Sequence, residues 1–130
     1  MSSRPLIKPH TVISDGNMAS VSITSDVTII QQLSMISYGF SWVGSTPVGT
    51  IAIQVSNDYS IDPAGAVLNA GTWTPLDLIY QGNVVSTVPV SGNTGNGLID
   101  IETGAYAIRA VYTKGSGTGT LQGKVCSKVQ

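Results

Sequence analysis

The chain has 130 residues, of which 42% are apolar and only 10% are charged, and its formal net charge is −1. This length fits one domain that can bury a core without metals or disulfides. The few basic residues are scattered, which excludes the concentrated cationic footprint of a nucleic-acid site, and no apolar run approaches the ~20 residues of a membrane span.

The low charge leaves two interpretations open. Ser, Thr, Asn, Gln and Gly must supply the polar surface of an ordinary β-domain, or much of the surface is buried against neighbouring subunits, where charges are depleted. The chain opens without the charged and apolar regions of a secretory signal, and its single cysteine, Cys126, fits a reducing compartment. These features favour a protein made in a cytoplasm.

Residues 1–17 are predicted to form an extended N-terminal arm. Pro5 and Pro9 exclude a central strand, residues 11–13 have short strand character, and residues 15–17 read as a turn. Because such an arm lacks internal partners, we expect it to contact another chain. The candidate partner-binding residues are Arg4, Leu6, Ile7, Lys8 and His10 in the arm, together with Trp73.

Residues 18–130 are predicted to form one β-domain, and their first half consists of alternating strands. Strands are expected at 18–25, 27–33 and 35–43, then at 48–56 after a turn at 44–47. The alternation places Ser37, Gly39, Ser41, Ala52, Gln54 and Ser56 outward. It places in the core Ile36, Tyr38, Phe40, Trp42, Ile51, Ile53 and Val55.

The second half of the domain is predicted to continue in the same way. Residues 60–71 read as a loop with a single helical turn at 64–69, followed by a strand from Trp73 to Tyr80, in which Pro75 marks an edge, and a turn at 81–83. Strands at 84–90 and 97–101 precede two C-terminal strands, which carry Ile108 and Leu121 in the core and are joined by a hairpin turn at 115–119. Eight or nine short strands at roughly ten-residue spacing are typical of an antiparallel β-sandwich, here jelly-roll-like.

No combination of side chains predicts catalysis, a cofactor or a metal centre. One histidine and one cysteine do not make a catalytic triad or a zinc site, and residues 115–119 lack the lysine and helix of a phosphate loop. Asp58 and Asp62 flank one loop and suggest either a weak Ca²⁺ site or, more simply, turn residues that bind their own backbone. Arg109 is expected to be partly buried and paired with a carboxylate from Asp77, Asp100 or Glu102.

Aromatic residues leave one binding alternative open. An exposed set of rings stacks on sugars, whereas aromatic residues on alternating strands are more often core. The residues concerned are Tyr38, Trp42, Trp73, Tyr80, Tyr106 and Tyr112.

Two runs, IQVSNDYSIDPAG…GTWTPL at 53–76 and AYAIRAVYTKGSGTGTL at 105–121, resemble small β-sandwich virion proteins of tailed bacteriophages. The likeness covers about 75 residues and consists of packing and turn motifs. It implies a non-enzymatic part of a particle, with jelly-roll capsid decoration (cement) proteins the nearest in size and composition, and it supplies no catalytic residues.

The resemblance therefore implies a protein on the capsid surface of a virion. Its partners would be the major capsid protein and copies of itself, as a dimer or trimer, and neither nucleic acid nor membrane. The alternatives are a phage tail or connector component, or a carbohydrate- or receptor-binding β-sandwich module. A hydrolase on the same scaffold is disfavoured by the single histidine and the dispersed acids.

Overall fold

The computed structural model describes residues 9–30, 34–103 and 105–129, and every regular element among them is a β-strand. All strand pairs are antiparallel, which confirms the all-β prediction, and none of the described segments is a helix able to span a membrane. In chain order the strands are β1 (His10–Asn17), β2 (Ser22–Thr24), β3 (Thr28–Ile29), β4 (Ser34–Ser56), β5 (Ser60–Ile61), β6 (Val67–Asn69), β7 (Thr74–Pro75), β8 (Leu78–Tyr80), β9 (Asn83–Val85), β10 (Val88–Val90), β11 (Thr94–Thr103) and β12 (Ala107–Val129).

The main sheet is built around β4 and β12. Its principal order is β1-β12-β4-β10, with β11 and β7 also paired to β4, and with β2 and β3 paired to β12. Two small hairpins, β5–β6 and β8–β9, lie outside this sheet. Within the described ranges the two ends of the path do not pair with each other, so the sheet does not close into a barrel.

Strands β4 and β12 are 23 residues each and stay paired from Ser34↔Val129 to Ser56↔Ala107. The turns predicted at 44–47 and 115–119 are therefore wrong. The two segments lie opposite each other, and the ladder continues through them with register shifts at Lys114/Ser116 and Ser116/Thr118. A β-bulge of this kind bends a strand without ending it, so hydrogen bonds across the pair have overridden the local preference for a turn.

This bend divides the sheet into two halves. The first half contains β1, β11, residues 34–43 of β4 and residues 119–129 of β12. The second half contains β2, β3, β7 and β10 with the remaining parts of the two long strands.

The predicted inward faces are confirmed where strands alternate. Val55 is only half-buried but packs against the core, whereas Ser56, predicted to point outward, is buried because Asp58, Tyr59 and Gly71 lie against its hydroxyl. The buried predicted residues are Ile36, Tyr38, Phe40, Trp42, Ile51, Ile53, Ile108 and Leu121. They belong to a single hydrophobic cluster that draws on both halves of the sheet.

The described part of the predicted arm forms an edge strand of the first half. Residues 10–17 make up β1, which pairs with β12 and buries Val12 and Ile13. The turn predicted at 15–17 is wrong, because Asp15 adopts a φ of 50° inside an irregular stretch of the strand. The other arm candidates, Arg4, Leu6, Ile7 and Lys8, lie outside the described residues.

Three further local predictions are corrected and one is confirmed. The helical turn at 64–69 is wrong, because these residues close the β5–β6 hairpin. The strands predicted at 73–80 and 84–90 are each interrupted, giving β7 and β8, and β9 and β10. The turn after Tyr80 is confirmed: Gln81 and Gly82 both have positive φ, as a tight two-residue hairpin requires, and Tyr80 pairs with Asn83.

Candidate functional site

The chain leaves the main sheet between β4 and β7, and we call residues 57–73 the excursion. Its start is fixed by the side chain of Ser56, whose hydroxyl accepts hydrogen bonds from the amides of Asp58 (3.4 Å) and Tyr59 (3.2 Å). The same hydroxyl donates to Oδ1 of Asp58 at 2.7 Å, and the Thr72 amide donates to that oxygen at 2.7 Å. Asp58 therefore joins the start of the excursion to its end.

The tip of the excursion is closed by Asp62. The amides of Ala64 and Ala66 each donate to its Oδ1 at 2.9 Å, and its backbone pairs with Ala66 and Gly65. The two carboxylates thus serve separate turns, which favours the turn interpretation over the Ca²⁺ site. Among the residues that the structure describes, no group of three or more His, Cys, Asp or Glu side chains is placed to hold a metal ion.

Trp73 lies at the base of the excursion, against the second half of the sheet. Its indole Nε1 donates to the carbonyl of Ala70 at 2.8 Å, and its ring contacts that of Tyr59 with centroids 5.7 Å apart and a tilt of 54°. The guanidinium carbon of Arg109 lies 4.2 Å from the centroid of the Trp73 ring, within the range of a cation–π contact. One face of the Trp73 ring is therefore occupied within the molecule.

Arg109 does not pair with Asp77 or Asp100, two of the three carboxylates predicted for it, and the side chain of Glu102, the third, lies outside what the structure describes. The Nε of Arg109 donates to Oε1 of Gln54 at 2.8 Å, since the two residues are directly opposite on β12 and β4. Asp77 and Asp100 are exposed, and no ion pair to Arg109 occurs within the described ranges. Partial burial lowers the pKa of Arg109, but a guanidinium stays charged at neutral pH.

The excursion presents apolar side chains to solvent at its tip. Leu68 is 68% exposed and Val67 is 56% exposed, and Val67 faces the exposed Ile61 across the β5–β6 hairpin. Exposed branched residues on a hairpin fixed at its base and its tip form a small apolar surface that is already ordered. We call Ile61, Val67 and Leu68 the apolar tip.

A cavity of about 340 Å³ opens beside the base of the excursion. It is lined by Val55, Ser56, Asn57, Asp58, Thr72, Thr74 and Ala105. Two of the polar groups in its lining already have hydrogen-bond partners within the chain. Oδ1 of Asn57 accepts a hydrogen bond from the amide of Tyr106 at 2.9 Å, and Oδ1 of Asp58 accepts two, from Ser56 and Thr72.

Of the predicted partner-binding residues the structure describes only His10 and Trp73, and it places them on different halves of the sheet. His10 is exposed and pairs with Val125 in the first half, whereas Trp73 packs on the second half. The six aromatic residues do not form a common platform either: Tyr38, Trp42 and Tyr112 are buried, and the others are half-buried or exposed on different segments.

Sequence reasoning missed Ser56, Gln54 and the apolar tip. A serine two residues before an aspartate at the end of a strand is a signal for a side-chain-capped turn, so Ser56 was identifiable. Gln54 was not, because its pairing with Arg109 depends on the register between β4 and β12.

We expect the anchoring of the excursion to weaken in acid. The pKa of Asp58 is lowered from its ordinary value of 3.8, because the amide of Thr72 and the hydroxyl of Ser56 donate to the ionised form. A lowered folded-state pKa stabilises the anchored state above the unfolded-state pKa, and this contribution is lost as the pH falls through the folded-state pKa. The amide resonance of Thr72 should therefore titrate at a pH below the ordinary pKa of an aspartate.

Asp58→Asn should shift the Thr72 amide already at neutral pH and abolish its titration. Asp77→Asn, which removes an exposed carboxylate elsewhere, is the matched control and should leave the titration in place. A Thr72 amide that still titrates in Asp58→Asn would contradict the assignment of Asp58 as the anchor.

Comparison of the chain with protein-family models and with curated proteins finds no match.

Proposed function

We propose that this chain is a non-enzymatic virion structural protein of a tailed bacteriophage, most simply a decoration protein bound to the outside of the capsid. In this role it binds the major capsid protein and copies of itself, and it stabilises the shell against the pressure of the packaged genome. The apolar tip on its anchored excursion is the observation that carries the proposal.

The two segments that resemble phage virion proteins support this proposal by their arrangement. They lie on adjacent strands, where Gln54 and Arg109 are hydrogen-bonded, and Trp73 covers the same Arg109. Residues 53–56 of one segment and 107–110 of the other are therefore direct neighbours in the sheet.

A two-layer sandwich, jelly-roll-like in its connections, is the arrangement that we propose for the bent sheet. The single hydrophobic cluster includes inward residues of both halves, as two facing layers would require. Tyr38 of the first half also lies beside the side chain of Thr28, on a strand of the second half, although no well-formed hydrogen bond joins them. Burial of this kind raises the pKa of Tyr38 well above its usual range.

The proposed mechanism is the summation of many modest contacts. An exposed Leu or Val side chain that becomes buried contributes about 1.5–3 kcal/mol, so three such residues give one copy a weak but specific attachment. On a symmetric shell, contacts between neighbouring copies raise the effective concentration of each and convert weak sites into stable coverage. Preordering of the hairpin by Asp58 and Asp62 reduces the entropy lost on binding.

A receptor- or glycan-binding module is the second candidate, and the cavity beside Asp58 favours it. This cavity is lined by polar and apolar side chains, lies next to Trp73 in the chain through Thr72 and Thr74, and has room for a small ligand. Against it, Arg109 already covers one face of the indole, which a stacked sugar would need. A tail or connector position would use the same apolar tip against a different partner.

The test is binding to shells assembled from the major capsid protein encoded by the same phage genome. We expect the purified protein to co-sediment with shells at saturating, symmetric occupancy, and Leu68→Ser to weaken this binding roughly tenfold, as loss of about 1.4 kcal/mol would. Val21→Ser is the matched control, since Val21 is 83% exposed but lies far from the excursion in sequence and on β2's side of the sheet.

Deletion of residues 2–8 tests the remaining arm prediction in the same assay. The deletion stops short of Val12 and Ile13, which are part of the core, so the fold is retained. Loss of binding on deletion would place the anchor in the arm. Failure of the intact protein to bind shells would contradict the decoration role, and binding to a host polysaccharide in its place would favour the second candidate.

A further inference from the structure

Strand β11 is a long and regular edge of the main sheet. It runs for ten residues and pairs with β4 without interruption, from Thr94↔Val43 to Thr103↔Ser34. On its other side no described strand forms a ladder with it, and the neighbouring β8 approaches without pairing. Every second residue of β11 therefore directs its backbone N–H and C=O groups away from the sheet.

The other edges of the same sheet are protected against further pairing. β1 shifts register twice and contains the positive φ of Asp15. β10 and β7 are three and two residues long, and they contain Pro89 and Pro75, which cannot donate to a ladder. β2 and β3 are equally short. Bulges, prolines and short length are the devices by which sheet edges avoid association.

β11 has none of these devices. It contains no proline, no lysine and no register shift, and its outward side chain Leu98 is 66% exposed. Its charged residues are Asp100 and Glu102, which a pairing strand must accommodate. An edge of this length without a bulge or a proline is a template for another strand. The contrast with the protected edges indicates that β11 is kept open for a partner.

We propose that two copies of this chain pair antiparallel through β11, about a two-fold axis at Leu98, so that their sheets join into one. A two-fold axis perpendicular to the joined sheet leaves each side chain on the face that it occupies in the single copy. Residues directly opposite each other in an antiparallel pair share a face. The axis must therefore lie where one residue of β11 is directly opposite the same residue of the second copy.

Two registers satisfy this condition near the middle of the strand. With the axis at Leu98, each Leu98 packs against the Leu98 of the second copy, and Asp100 faces Asn96 of the second copy, an acceptor opposite an amide donor. With the axis at Ile99, Asp100 faces Leu98 of the second copy instead, which places a carboxylate against an apolar side chain. Cross-strand complementarity therefore selects the register at Leu98.

This inference deepens the proposed function, on which it rests for the expectation of self-association. It supplies a surface separate from the apolar tip, so that a copy can contact its neighbour by β11 and the shell by the excursion. Its test needs no capsid: a protein that stays monomeric refutes edge pairing even if it binds shells, and a dimer that ignores shells refutes decoration alone.

The experiment measures the molar mass of the purified full chain by sedimentation equilibrium at micromolar to millimolar concentrations. We expect a monomer–dimer equilibrium. Leu98→Lys puts two like charges directly opposite each other and should raise the dimer dissociation constant roughly tenfold or more. Val21→Lys, at another exposed apolar position, is the matched control and should leave the constant unchanged.

A charge pair tests the register itself. Asn96→Asp should weaken the dimer by placing a carboxylate opposite Asp100 of the second copy at two symmetric positions. Addition of Asp100→Lys should restore association, because the lysine at position 100 then faces the aspartate at position 96 of the second copy at both symmetric positions. A monomer at all concentrations, a dimer unaffected by Leu98→Lys, or no rescue by the double variant would overturn the proposal, and circular dichroism of each variant shows that the fold is retained.

Discussion

Replacement of Phe40 by alanine is expected to lower the free energy of unfolding by about 3–5 kcal/mol. Phe40 is only 4% exposed, and its ring stacks on that of Tyr38 with centroids 5.8 Å apart. Its neighbours across both ladders are glycines, Gly97 on β11 and Gly123 on β12. Because neither has a side chain to move into the space, we expect the cavity to persist and the loss to be large.

Equilibrium denaturation followed by circular dichroism measures this change. Phe40→Leu keeps most of the buried volume and should cost less than about 1.5 kcal/mol, which separates cavity formation from a general intolerance of the position. A loss below about 1 kcal/mol in Phe40→Ala would show that the ring does not contribute to the core as the structure indicates.

Replacement of Gly117 by alanine is expected to be similarly severe, for a reason of backbone geometry. Gly117 has a φ of +78° in the bend of β12, and a Cβ added there would overlap the carbonyl oxygen of Thr46 on β4. The left-handed conformation alone costs a residue other than glycine roughly 1–2 kcal/mol. Displacement of the backbone of β4 adds to this, so we expect a loss of about 3 kcal/mol or more.

Gly65→Ala is the control for the bend. Gly65 also has a positive φ, +93°, but nothing lies within 4 Å of the place that a Cβ would take, so the variant carries the conformational cost without the clash. The thermal unfolding temperature should therefore fall further in Gly117→Ala than in Gly65→Ala. An equal fall in both variants would show that the close approach of β12 to β4 at the bend does not contribute to stability.

Local patterns predict the strand faces correctly, because a period of two is a property of neighbouring residues. The alternation from Ile36 to Trp42 and the tight turn at Gln81 and Gly82 need no knowledge of the rest of the chain. The segments at 44–47 and 115–119 look like turns for the same reason. Their glycines do relax the backbone, but each segment lies opposite the other, and only the long-range pairing shows that the strands continue.

The candidate site follows the same division. The turn formed by Ser56 and Asp58 is local and accessible from the sequence, as is the choice of Trp73 as a residue of interest. The hydrogen bond from Thr72 to Asp58, in contrast, joins residues 14 apart. The partner of Arg109 cannot be predicted from the sequence. Three carboxylates are candidates there, and only the register between β4 and β12 places Gln54 beside Arg109. Exposure of Leu68 is also hidden, because the local sequence around it favours a helical turn rather than a hairpin.

The full-length pairing of β4 with β12 also decides when this protein can fold. Ser56 meets Ala107 and Ser34 meets Val129, so the central ladder closes loops of roughly 50 to 95 residues. Contacts of such high sequence separation make folding slow, since the entropy of loop closure is lost before the ladder forms. During synthesis β4 must wait, without its main partner, until β12 has left the ribosome. Few charges protect the unpaired strand during that interval, since only 10% of the residues are charged, so we expect this stage to be the one most prone to aggregation.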